Sequence, residues 1–321
     1  MTTVHTLIGK AAKIPIKSAS PVFSFTPVII PVQGRPVDLQ LRITVPTAGD
    51  KLPIVLLSHG HGRSNWLSSH HGYAPLAEFW AKHGFAVIQP THLSSATLGL
   101  KSVPGNEMYW QERPQDMSQV LDHLNVIEET VPGLKGRLDR DQVAVAGHSF
   151  GGQTVALLLG ATNNDPRDGS KYSAFEKRIK AGVLLGGVGS GGDSMSENGK
   201  KMVPFHNPDF STMATPTLCV SGELDVSPHL SCRGADWHWD GFTYGPGPKD
   251  SVIVKGGHHG FGGISGWDAG ETQDESPERL AFVQRMTTAY LRSQLYGDDS
   301  WKLAVQAVAE VPELGSVESK Q

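Results

Sequence analysis

The chain has 321 residues, 38% of them hydrophobic and 19% charged, with 28 Lys and Arg against 32 Asp and Glu and a formal net charge of −4. That length can bury a sizeable core as one large domain, and the composition excludes a disordered or collagen-like chain. No block of Lys or Arg is long enough for a nucleic-acid or membrane-surface patch, and no apolar run reaches membrane-spanning length.

Residues 1–17 lack the continuous apolar stretch of a signal peptide, so a cytoplasmic protein is expected. Cys219 sits in an apolar run and Cys232 in a loop; two cysteines make no disulfide scaffold. Segments 22–31 and 37–45 read as an opening antiparallel pair of strands. The run IVLLSHG at 54–60 is almost wholly apolar, as a strand covered on both faces must be. A helix over 73–83 ends at Gly84, and 85–90 is the next strand. Apolar residues from Met117 to Val131 recur at helical spacing and predict one helix over 115–131. Then come a strand at 142–149, a buried helix at 151–161, and strands at 181–187, 217–222 and 251–257, the last of the sheet. A final helix starts at Ser276-Pro277-Glu278, with Ser as cap and Pro in the first turn. This alternation predicts an α/β fold: a mostly parallel sheet flanked by helices, in one domain over 1–321 with its core at about 22–295. Three long segments, 91–113, 188–213 and 226–250, interrupt it. Each follows the C-terminal end of a strand, where open α/β sheets bind ligands, so all three are expected to cover a substrate.

GHSFGG at 147–152 fits G-x-S-x-G in the setting the motif requires, an apolar strand leading in and a small-residue helix leading out. Ser149 is therefore the candidate nucleophile. A hydroxyl needs a base to take its proton and a third group to orient that base. Asp225 follows the strand 217–222 and is preferred over Glu223, which lies closer to the strand end and reaches less far. His258 and His259 follow the strand 251–257. The Gly-Gly-His turn favours His258 as base and leaves His259 as a loop or substrate-contacting residue. The backbone N–H groups of His61 and Phe150 are the candidate oxyanion donors. Trp237 and Trp239 either wall the substrate or simply cover the core. His59, His61, His70 and His71 could suggest a metal site. The acidic ligand of a His-x-His-x-Asp motif is missing, however, so loop histidines beside an oxyanion hole are expected and no metal.

The stretches PIVLLSHGHG, YAPLAEFWAKHGFAVIQPTH, RPQDMSQVLDHL, GRLDRDQVAVAGHSFGG and GGHHGF together resemble the dienelactone-hydrolase, chlorophyllase and platelet-activating-factor-acetylhydrolase-like group of α/β-hydrolases. The elbow is also similar to that of cutinase-like polyester hydrolases. The resemblance implies a serine carboxylesterase without cofactor, acting on a small-molecule ester, with Ser149, Asp225 and His258 as triad and His61 and Phe150 at the oxyanion hole. Dienelactone hydrolases proper use cysteine as nucleophile, so that name does not fix the substrate. A lactonase, thioesterase or lipase, or a ligand-binding protein on this fold with little turnover, would carry the same pattern, and the sequence leaves oligomeric state open.

Overall fold

The computed structural model describes residues 6–266 and 268–321; the first five residues of the N-terminal stretch and position 267 lie outside it. Nine strands form the main sheet: β1 (Val22–Ile30), β2 (Leu39–Pro46), β3 (Leu52–Ser58), β4 (Ala86–Pro90), β5 (Leu138–His148), β6 (Ile179–Leu185), β7 (Thr217–Gly222), β8 (Lys249–Val254) and β9 (Gly315–Lys320). Their spatial order is β1-β2-β4-β3-β5-β6-β7-β8-β9. The six strands from β4 to β8 pair in parallel, while β1, β2 and β9 join antiparallel at the edges.

Strand periodicity decides which face each residue serves. In β3, Val55 and Leu57 enter one apolar cluster, and Ile54 and Leu56 enter the other. Helices α1 (Ala74–Lys82), α5 (Pro277–Tyr296) and α6 (Ser300–Ala309) cover the first face; α2 (Glu112–Asp122), α3 (Leu124–Thr130) and α4 (Phe150–Leu158) cover the second. Both faces are dry, which is why β3, β5 and β7 read as unbroken apolar runs. A small sheet of 162–164, 171–173 and 208–209 and a third apolar cluster lie beyond them. No helix among the described residues is long and apolar enough to cross a membrane.

Three expectations are corrected. The helix expected over 115–131 breaks at His123, which caps α2 through backbone bonds to Gln119 and Val120 and leads into α3. The strand at 249–254 is not the last, because β9 pairs along its whole length. The core does not end near 295: Ala304, Val308, Val311 and Leu314 are buried in the first cluster. Ser276 does cap α5, its side chain accepting from the N–H of Arg279.

Candidate active site

Ser149 stands between β5 and α4 with φ +56° and ψ −121°, a conformation that L-residues rarely adopt. The crowding around it explains the neighbouring glycines. A Cβ on Gly151 would strike the carbonyl oxygen of Ser58, and one on Gly147 would strike the backbone of Gly151. The turn leaves Ser149 half-buried while its neighbours are buried. Phe150 is the first residue of α4, so its N–H belongs to the four that a helix leaves without an internal partner. The loop after β3 passes close by: a Cβ on Gly60 would lie 3.4 Å from that of Ser149. His61, from that loop, shares with Ser149 the walls of both cavities described below.

Asp225 follows β7, but the histidine ring it meets is not that of His258. His259 Nδ1 lies 3.0 Å from each oxygen of Asp225, which is 1% exposed. His258 instead donates its backbone N–H to Asp274 at 3.0 Å, and its side chain lines the rim of the larger cavity. The correction has a simple cause. His258 gives its N–H to Asp274 and its carbonyl accepts the Phe261 N–H, and this turn carries the ring of the next residue, His259, to Asp225. Glu223 faces solvent and pairs with Lys255 at 2.5 Å.

Burial alone would raise the Asp225 carboxyl, but the charge and hydrogen bond of His259, with His238 and His148 adding, hold it at about 2. His259 responds in the opposite sense. Burial works against its charge, yet Asp225 raises its pKa above the ordinary value. With Nδ1–H given to the carboxylate, Nε2 is the nitrogen left to accept a proton.

Residues not singled out from the sequence hold this arrangement. His238 Nε2 lies 3.3 Å from Asp225 and 3.1 Å from Ser227 Oγ, and its Nδ1–H donates to the Gly187 carbonyl at 2.8 Å. His148 donates Nε2–H to the His259 carbonyl at 2.8 Å and takes the Tyr73 hydroxyl on Nδ1 at 2.9 Å. Tyr73 Oη in turn accepts the Gly60 N–H at 3.0 Å, so one chain of bonds joins the loop after β3 to the loop after β8. Burial drops His148 to about 3 and keeps it neutral. Arg113, wholly buried on α2, donates to the His59 carbonyl, to Thr154 at 2.9 Å and to Ser94 at 2.7 Å, with its guanidinium 4.7 Å from the Phe150 ring centre. Arg113 thereby ties the loop after β3 to the start of α4.

Ser149 opens onto two cavities. The smaller, about 80 Å³, is lined mainly by apolar groups, among them Phe150, Val188, Met195, Val203 and Trp237. The larger, about 390 Å³, is lined by His258, His259, Leu224, Val226, Glu271 and others. All three long segments contribute walls: Met108 from the first, Val188 and Val203 from the second, Leu230 and Trp237 from the third. Trp237 is buried and donates to the Ser190 carbonyl at 2.9 Å. Trp239 is not at the site; it lines a separate cavity with Phe242 and Lys320 beside β8 and β9.

The histidines near the loop after β3 do not form a metal-binding set. His59 uses both ring nitrogens, on the Gly60 carbonyl and the His92 N–H, and His70 Nδ1 contacts Thr91 Oγ1 at 2.5 Å. Among the described residues the grouping with ligand atoms within 4.8 Å of one another is Asp225, His238 and His259, whose nitrogens already face the carboxylate.

A family model described as Alpha/beta hydrolase family matches residues 54–312. The chain is 33% identical over 210 residues to a platelet-activating factor acetylhydrolase of Canis lupus familiaris, covering 50% of this chain and 45% of that protein. It is 30% identical over 146 residues to the Cavia porcellus protein of the same name, covering 35% and 32%. The chain thus spans less than half the length of the curated relatives it matches.

Proposed function

Because the chain belongs to the alpha/beta hydrolase family, we propose that it is a serine hydrolase cleaving carboxylic esters of short acyl groups through an acyl-enzyme. The observation that carries this reading is His259 held by both oxygens of Asp225 and lining the same cavity as a serine on a strained elbow. His259 Nε2 takes the Ser149 proton as Oγ attacks the carbonyl, and the N–H groups of Phe150 and His61 receive the oxyanion. His259 then returns the proton to the departing alcohol, so the alcohol belongs in the larger cavity, which His259 lines. The acyl group belongs in the smaller one, beside Phe150. At about 80 Å³ that space holds a few heavy atoms, the three long segments line it, and the relatives' name, acetylhydrolase, fits a short acyl group. Water activated by the same imidazole completes the cycle.

The test is a series of p-nitrophenyl esters from acetate to octanoate. Turnover is expected to fall sharply beyond butyrate, and Ser149→Ala should lower kcat by about 10⁶-fold with the fold retained. Hydrolysis by Ser149→Ala near the wild-type rate would refute the nucleophile, and undiminished octanoate turnover would refute the acyl cavity.

A further inference from the structure

Ser58, His92 and Asp116 form a second serine, histidine and aspartate array, wholly inside the protein. His92 Nδ1 lies 2.9 Å from Asp116 Oδ2, and His92 Nε2 lies 2.9 Å from Ser58 Oγ. Ser58 ends β3, His92 follows β4 in the first long segment, and Asp116 is on α2. Ser58 and His92 are 0% exposed, so no substrate reaches them and the array is no second nucleophile. Its donors and acceptors match in one direction. Arg113 Nη2–H donates to Ser58 Oγ at 3.3 Å, and the Ser58 O–H donates to His92 Nε2. His92 Nδ1–H donates to Asp116, and Arg35 Nε–H donates to the same carboxylate at 2.9 Å.

The array grips the loop after β3 at its root. The His92 ring holds Ser58, the His92 backbone N–H donates to His59 Nε2 at 3.0 Å, and Arg113 donates to the His59 carbonyl. The elbow rests on the same two residues, since a Cβ on Gly151 would strike the carbonyl oxygens of both Ser58 and His59. A buried carboxylate and imidazole cost stability unless their polar groups are bonded, and a fully bonded buried network holds its members in one arrangement. Resting on the esterase reading above, we propose that His92 is a positioning residue for the reaction. It fixes Ser58 and His59, and through them the place of the His61 N–H against the oxyanion. Its effect falls on the transition state, whose charged oxygen needs that N–H, more than on the ground state with its neutral carbonyl.

The experiment uses two ketones as competitive inhibitors of p-nitrophenyl acetate hydrolysis, in the wild type, His92→Asn and Ser58→Ala. Ethyl trifluoromethyl ketone adds Ser149 Oγ at its carbonyl carbon, the serine proton passes to His259, and the oxyanion formed occupies the hole. Ethyl methyl ketone stays a ketone. His92→Asn keeps an N–H for Asp116 and loses the bond to Ser58; Ser58→Ala removes that bond from the other side by one atom and carries the test if His92→Asn does not fold. Loss of one oxyanion donor costs about 10²–10³-fold in kcat, so a displaced one should cost about tenfold or more. The Ki of the trifluoromethyl ketone should rise in step, and that of ethyl methyl ketone should stay within about twofold. A fall in kcat with both Ki values kept means less folded protein and overturns the inference. An equal rise in both Ki values, which would mean that the whole pocket has moved, overturns it too, as does wild-type behaviour of Ser58→Ala. Wild type that neither hydrolyses p-nitrophenyl acetate nor prefers the trifluoromethyl ketone overturns the esterase reading itself. Hydrolysis with Ki unaffected by the substitutions overturns only the role of His92.

Discussion

Acidification should unfold this protein with an unusually large uptake of protons. His59, His70, His148 and His206 are each at most 4% exposed, and burial lowers all four pKa values: His70 and His206 to about 4, His148 to about 3, His59 well below the ordinary 6.5. Each is neutral in the folded chain and protonated in the unfolded chain once pH falls below about 6.5. The unfolded state then binds more protons, so stability rises with pH through this range and falls on acidification. His92 is left out of the count, because burial lifts its partner Asp116 to about 6 and that carboxyl takes up a proton in the folded state over the same interval. His259 is also left out, since its raised pKa keeps it charged below 6.5 in both states. Four groups at about 1.4 kcal/mol per pH unit each give a slope of about 5 kcal/mol per unit. Against a total stability of about 5–15 kcal/mol, unfolding should follow within about one to three units below pH 6.5. The direct assay unfolds the protein in urea at pH 5.5 in weak buffer and titrates the protons consumed. These four set the minimum, since burial also lowers His61, His83, His229 and His238; about four or more per chain are expected, against less than one at pH 8, where Lys249, lowered to about 8, contributes, and His206→Gln should remove one. Uptake below one proton per chain would refute the claim that these rings are buried and neutral.

Two further outcomes follow from the site. His259→Ala should abolish ester turnover, while His258→Ala, whose structural bond is made by its backbone, should stay within about fivefold of wild type in kcat on p-nitrophenyl acetate; the reverse pattern would return the base to His258. The acid limb of kcat/KM should have its midpoint above 6.5, because Asp225 raises His259 and the base must be neutral to act. Asp225→Asn should move that limb to lower pH and reduce kcat by about 10³–10⁴-fold, and a pH profile unchanged by Asp225→Asn would sink the pairing.

The parts of the site that were legible in the sequence are those fixed by short-range backbone geometry. A buried strand, a Gly-Ser-Gly turn and a small-residue helix place Ser149 whatever surrounds them, and Asp225 is placed by its distance from the end of β7. The sheet read well for the same reason: strands dry on both faces are continuous apolar runs, whereas β9, GSVESK, is an exposed edge strand with no such run to see. His258 against His259 was a question of which side of a turn each ring faces. The answer lies with Asp274, a residue 16 positions away that catches one backbone N–H.

Arg113 shows why the remainder was hidden. Its partners His59, Ser94 and Thr154 are 54, 19 and 41 residues distant, and in sequence it is one more charge at the start of an amphipathic helix. A charge buried at that position costs stability unless its N–H groups are bonded, so its retention marks a joint between segments. The joint here lies between the loop after β3 and the first turn of α4, the two segments proposed above to supply the oxyanion N–H groups. Arg113 is buried with its donors matched inside the protein and so serves the scaffold.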